Sequence, residues 1–390
     1  MLKATNKFRD KIVQLVKSNF LLLLITNKIL RIINARKFNR AVYERLNMSI
    51  FSYQELSDDL PYYPANRLPD ANFYGHIDAL RLYSSSSTFN GSIEHGIYFG
   101  TYVPYSTFLK TTISIITMSQ HRADMLRLAG FKGPIIVVGP YIHYASSLLD
   151  SRERMRIKKE LGKTLLVFPV HSLADAHTDY DVKDFIAKIH HVGKEFESIL
   201  VCLYYLDIRS NRMAEQYIGE GFKIVTAGHK YDPNFINRLK SIIELSDFTL
   251  SNRVGTHTGY CIHLNKPHFI YEQKVVMKNS ASTHYRTEDE LSDQAVEIAE
   301  IISCFNSMDG LIQHRQRKIV EKYWGTDKVK PVSDLRIIIN NTTDEDYSHW
   351  NWIRRLGDRR LFGGRGHRGN LRGYRSKENR RPEKRHPSHL

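Results

Sequence analysis

The sequence predicts an α/β protein: two Rossmann-like, parallel-sheet domains facing a cleft, with an N-terminal amphipathic helix in front and a disordered basic C-terminal tail behind. Three observations carry this. From Thr164 onward, short apolar runs alternate with amphipathic segments, as strands joined by crossover helices do. A looser alternation of the same kind fills about 51–150. The charge is also unevenly spread. Of a net +16, residues 1–50 hold +9 and residues 351–390 hold +10, so the 300 residues between carry −3. The expected divisions are a basic amphipathic helical arm (1–50), a first Rossmann-like domain (51–150), a second Rossmann-like domain (151–330) and a basic, largely disordered tail (331–390).

In the arm, Ile12, Leu15, Val16, Phe20, Leu23 and Leu24 recur at three- and four-residue spacing beside Lys7, Lys11 and Lys17, which predicts one amphipathic helix. Its apolar run is too short for the roughly 20 residues of a membrane span, and no small-residue cleavage site follows it. Such a helix suits an anionic membrane surface; packing on the domain with solvated lysines is the alternative. In the first domain, strands are expected within FNGSIEHGIYFG, over TTISIITMS and over PIIVVG, with a helix over QHRADMLRLAG.

The second domain begins after the charged segment 151–163. Strands are expected over 164–170, 198–206, 222–227, 247–251 and 267–272, with helices over 181–196, 212–220, 233–246, 288–304 and 309–323. The last 30 residues are rich in Arg, Gly and Pro and cannot bury enough surface to offset chain entropy. Cys202, Cys261 and Cys304 have no metal-binding spacing and read as reduced thiols of a cytosolic protein.

Ligands of open parallel sheets bind at the carboxyl ends of the strands. That edge holds His171 and Ser172, then Gly228 and His229, then SNRVGTHTG (251–259), then Glu272. In SNRVGTHTG the chain leaves a strand, turns, and enters a helix at Thr256, so unpaired backbone N–H groups and a partial positive charge are available to a phosphate. Gly255 and Gly259 would admit the ligand, and Thr256 and Thr258 add hydroxyls. A plain N-cap in a tight turn is the alternative. In IEHGIYFG, His95 beside Glu94 could take a proton from a hydroxyl, or be a satisfied structural histidine.

These pieces together resemble the GT-B glycosyltransferases, and 226–272 resembles the donor region of bacterial enzymes that build capsule or lipopolysaccharide chains. The resemblance implies metal-independent transfer from a nucleotide-sugar, with no cofactor, to a surface-polysaccharide or lipid-linked glycan acceptor. It implies a diphosphate held by Ser251, Asn252, Gly255, Thr256, His257, Thr258 and Gly259, with His171 and Ser172 on the donor side. Gly228, His229 and Glu272 would serve the nucleoside, and His95 or Glu94 would be the general base. An enzyme of this type would sit in the cytoplasm at the inner face of the cell membrane, held to anionic lipid by its basic ends; a homodimer is left open. The paired glutamates of many retaining relatives are missing, so inversion is preferred. Two other readings stay open: a nonhydrolysing nucleotide-sugar 2-epimerase, and an RNA-binding protein acting through its Arg/Gly-rich tail.

Overall fold

The computed structural model describes residues 11–86, 89, 91–172, 177–210, 213–278 and 288–340, all within one compact unit. Lys7 and the Arg/Gly-rich segment lie outside the described residues.

Two parallel sheets carry the fold, as expected. In the first half, β1 (Ser92–Ile93), β2 (Ile115–Thr117) and β3 (Ile135–Val137) pair side by side. They are shorter than their apolar runs suggest. In the second half come β4 (Thr164–Phe168), β5 (His177–Asp179), β6 (Ser198–Cys202), β7 (Lys223–Val225), β8 (Phe248–Ser251) and β9 (His268–Ile270), followed by β10 (Val276–Lys278). Their main sheet runs β7-β6-β4-β8-β9, all parallel. The central β4 is buried along its whole length, which is why TLLVF is continuously apolar rather than alternating. β5 and β10 form a separate antiparallel pair, which periodicity did not single out.

Helices close both faces. Val182–Gly193 starts at Asp181, whose side chain accepts from Asp184 N–H, and Phe185 and Ile189 bury beneath it. Phe235–Leu245 buries Ile236, Ile242 and Ile243. Ahead of the first sheet, His76–Ser84 begins at Gly75, where φ is +63° and a Cβ would lie 2.1 Å from the Pro233 carbonyl oxygen. Only glycine fits there.

Two expectations about the ends need correction. The arm is not one helix: Lys11–Ser18 and Phe20–Leu46 meet at 108°, because the Asn19 side chain caps the second helix by accepting from Leu22 N–H. The long helix docks on the domain. Asn27, Arg31 and Asn34 donate to the carbonyls of Arg67, Pro64 and Tyr62 at 2.8, 2.6 and 2.9 Å, over buried Leu23 and Phe38.

Nor does the folded chain end at 330. Helix Val332–Asn340 buries Leu335 and Ile339, and Arg336 Nε donates to Ser84 O at 2.7 Å. The helices Glu288–Cys304 and His314–Trp324 also reach the first half: Glu297 accepts from Gly100 N–H at 2.6 Å and meets His121 Nε2 at 2.7 Å. Isoleucines at 337–339 read as the edge of a tail because their packing partner lies some 250 residues away.

Candidate functional site

β4 and β8 pair with Phe168 opposite Ser251, so the loops that follow them emerge together. In the order β7-β6-β4-β8-β9, this is where the connections change direction, the position at which open sheets bind ligands. A cavity of about 350 Å³ opens there. From the first half it is lined by Tyr74, His76 and the turn His95–Tyr98; from the second by Phe168 to His171, Tyr204, Arg253 to His257 and Tyr260. Among the described residues that line it, none is a carboxylate.

The helix Thr256–His263 points its N-terminus at this cavity, with Gly255 as N-cap. Gly255 N–H donates to Thr258 Oγ1 at 3.3 Å. Thr256 Oγ1 accepts from Ile97 N–H at 3.0 Å, joining the two halves across the cleft. The His257 ring stacks on Phe168 with centroids 4.7 Å apart. Three polar atoms of cavity-lining residues are buried with no partner within the protein: His257 Nε2, His76 Nδ1 and Tyr260 OH. A buried unsatisfied group costs about 1–3 kcal/mol, so a polar ligand that bonded all three would relieve a substantial penalty. Burial pushes both His76 and His257 down to about 3, and each is therefore a neutral donor and acceptor at pH 7.

His95 lines the cavity from the opposite wall. Its ring is enclosed by Phe73, Tyr74 and Tyr98, with centroids 5.7, 5.9 and 6.1 Å away. Burial lowers its pKa, with Asp70 and Glu94 acting against that and Lys230 adding to it. A neutral imidazole near neutral pH can accept a proton.

The structure separates His95 from its neighbour. Glu94 is buried, takes Arg122 Nη2 at 2.7 Å and Nε at 2.9 Å, and accepts from Thr117 Oγ1 at 2.7 Å. Its carboxylate is committed to an internal ion pair and does not line the cavity, so Glu94 is corrected from base to anchor of the turn that presents His95.

Within 251–259, the phosphate cradle is narrower than expected. Gly255, Thr256 and His257 line the cavity. Ser251 does not: its hydroxyl donates to Arg253 O and meets His268 Nε2 at 3.0 Å. Asn252 is buried, accepting from Val170 N–H at 2.7 Å and donating to Gln273 Oε1 at 3.0 Å, and so ties the loop after β4 to the loop after β9. Thr258 is buried and faces back to Gly255. Gly259 admits a tryptophan rather than a ligand, for a Cβ there would lie 2.3 Å from the Trp324 ring.

His171 lines the cavity, its ring 4.6 Å from that of Tyr204. Ser172 is buried instead, with its N–H on the Asp207 carboxylate and its Oγ accepting from Thr178 N–H. The three nucleoside candidates lie off the cavity. Gly228 makes a turn at φ +94° against Arg238 and Leu56. His229 is buried, with Nδ1 accepting from Tyr231 N–H at 3.2 Å, and Glu272 is exposed. Each sits at the correct sheet edge, but Gly228 is a backbone turn, the His229 ring is taken by local packing and Glu272 faces solvent.

Reading by loops missed Arg253, Tyr74, His76, Tyr204 and Tyr260. Arg253 stood in plain view inside SNRVGTHTG, as the cation of a helix-start loop. His76 and Tyr74 had no signal, since no periodic strand announces 60–86. Among the described residues no three His, Cys, Asp or Glu side chains gather as metal ligands do.

No family model and no curated protein matches this chain. Among solved structures, it is similar to S. aureus MnaA in its co-structure with UDP, at 12% identity over 80% of this chain and 82% of that one, with a TM-score of 0.37. The wall teichoic acid polymerase TagF aligns at 11% identity over 67% and 70%, with a TM-score of 0.40. The UDP-GlcNAc 2-epimerase from Neisseria meningitidis bound to UDP-GlcNAc aligns at 14% over 68% and 72%, with a TM-score of 0.33.

Proposed function

We propose that this chain is a GT-B-type glycosyltransferase that moves a sugar from a nucleotide-sugar to a surface-polysaccharide or lipid-linked glycan acceptor of the capsule or lipopolysaccharide kind. One observation carries the reading. A neutral histidine of the first half and a helix N-terminus of the second face the same cavity, and Ile97 and Thr256 bond the two walls together.

The donor's diphosphate sits at the N-terminus of Thr256–His263, where unpaired N–H groups, the helix dipole and Arg253 meet its charge. The sugar hydroxyls lie against His76, His257 and Tyr260, whose buried atoms lack protein partners. The acceptor hydroxyl attacks the anomeric carbon from the His95 side. The new C–O bond forms as the bond to the diphosphate oxygen breaks. The bonding pair leaves with the nucleoside diphosphate, and the hydroxyl proton passes to His95. A single displacement inverts the anomeric centre. Charge on the leaving group is met by the helix N-terminus and Arg253, with no metal in the scheme.

The lining disfavours a 2-epimerisation run by carboxylates on both faces of the sugar, because among the described lining residues there is no carboxylate. The enzyme works in the cytoplasm at the inner face of the cell membrane, its basic ends near anionic lipid.

Calorimetry with UDP-, GDP-, dTDP-, ADP- and CMP-activated sugars tests the reading. One family of donors is expected to bind, with affinity lost in Arg253→Ala. Failure of all five to bind would overturn it.

A further inference from the structure

The long helix Phe20–Leu46 has two faces with different fates. Leu23, Asn27 and Phe38 turn inward and are buried. On the other side, Leu21, Ile25, Ile29, Ile32 and Ile33 are exposed, Ile32 by 73%, Ile33 by 65% and Leu21 by 64%. Their spacing of three and four residues places them on one stripe about three turns long. The short helix Lys11–Ser18 adds exposed Ile12, Val13 and Leu15. Its end is joined to the loop that follows the turn Tyr105–Phe108, where Thr111 Oγ1 donates to Lys17 O at 2.8 Å, and in that turn Tyr105 and Phe108 are also exposed. So much contiguous aliphatic surface marks a docking face rather than scattered exposure.

Charge complementarity selects the occupant. Lys11, Lys28, Arg36, Lys37 and Arg40 are exposed along the same pair of helices, with Glu44 the one acidic residue of Phe20–Leu46. A second copy docked about a two-fold axis would bring these cations against one another. A bilayer with anionic headgroups accepts both the aliphatic stripe and its basic flanks. No single helix among the described residues is long and apolar enough to cross a membrane, and two helices bent by 108° fit a surface better than a span.

We propose that Lys11–Ser18 and Phe20–Leu46 form a monotopic anchor whose aliphatic stripe inserts among the acyl chains of an anionic bilayer. This deepens the membrane placement proposed above and rests on it for the choice of lipid. Insertion replaces charge attraction as the main source of binding. The bend is linked to the His95 wall only indirectly, through Lys230 and Phe73. Burial lowers the Lys230 pKa, the Lys17 charge adds to this, and Asp70 acts the other way. Lys230 lies over the Phe73 ring at 5.2 Å, and Phe73 packs edge-on against His95.

Flotation of the full chain with vesicles of equal parts phosphatidylcholine and phosphatidylglycerol tests the anchor. The chain is expected to stay bound in high salt. A triple variant Leu21→Ser, Ile32→Ser, Ile33→Ser is expected to bind at least about tenfold more weakly, with little change in Tm and unchanged donor affinity because these three side chains are the most exposed of the stripe. Release of the parent chain by salt would overturn insertion while leaving an electrostatic membrane contact. No binding at any salt would overturn both. A dimer by light scattering that the triple variant dissolves, with vesicle binding unchanged, would assign the stripe to a second copy. Donor affinity by calorimetry reads the glycosyltransferase assignment separately.

Discussion

Ile97 N–H donates to Thr256 Oγ1 at 3.0 Å across 159 positions of sequence, and this bond draws the His95 turn against the helix that starts at Thr256. On one side of it lies a histidine kept neutral by burial; on the other, a helix N-terminus. The cavity between them is lined by both halves of the chain.

His95→Ala is expected to lower transfer by about 10²- to 10⁴-fold, the usual worth of a positioned proton acceptor, while nucleotide-sugar affinity stays within a few-fold. Single-turnover rates and calorimetry on the same variant make the comparison. If affinity collapses with the rate, His95 holds the turn together instead. With His95 as the proposed base, the acid limb of the parent chain's rate profile is expected below pH 6.5, because burial lowers the His95 pKa from that value and a base works only when unprotonated.

Glu94→Ala leaves the Arg122 guanidinium buried and unpaired. Removing one partner of a buried ion pair costs about 3–5 kcal/mol, so denaturant unfolding should show a loss of that order. The isosteric Glu94→Gln should lose less stability. Activity of correctly folded Glu94→Gln should remain measurable, since its carboxylate does not line the cavity. Complete loss of turnover in a stable Glu94→Gln would return Glu94 to catalysis.

Gly255 and Gly259 look equivalent in sequence and should fail differently. A Cβ at 255 meets the His257 ring at 2.7 Å, so Gly255→Val should push that ring off Phe168 and weaken donor binding more than tenfold, at a cost of about 1–3 kcal/mol in stability. A Cβ at 259 meets Trp324 at 2.3 Å. Gly259→Val should reduce Tm first and donor affinity only through unfolding. Thermal melts and calorimetry on the pair separate the two glycines.

His76 and His257 are pushed down to about 3 in the fold, whereas an unfolded histidine titrates near 6.5. The unfolded chain therefore binds more protons over this range, and stability falls as pH drops from about 6.5 toward 3. Each histidine accounts for about 2 kcal/mol lost by pH 5. Denaturant midpoints at pH 7 and pH 5 check the slope, and His76→Gln should flatten it if the variant folds.

Periodicity alone determined the parallel α/β character, the second-half strands β4, β6, β7, β8 and β9, and the helix start at Thr256. These follow from local rules, because a buried parallel strand must be continuously apolar and a strand-to-helix turn needs small residues. Gly255, Thr256, His257, His171 and His95 were legible as cavity residues for the same reason: each lies at a strand end whose position the alternation predicts. The basic ends were equally plain from charge.

What only the tertiary structure decided is where side chains point once distant segments meet. Ser251, Asn252, Ser172 and His229 stand beside the cavity in sequence, yet His268, Val170, Asp207 and Tyr231 take their polar atoms. Glu94 looked as reactive as His95 until Arg122, 28 positions on, claimed its carboxylate. Helix Val332–Asn340 read as tail because its partner, His76–Ser84, is remote in the chain. The arm's stripe divided into an inward and an outward face only when Asn27, Arg31 and Asn34 found backbone carbonyls of 62–67. Local pattern determines which elements form, while the pairing of buried polar groups, a long-range condition, decides which residues remain available for chemistry.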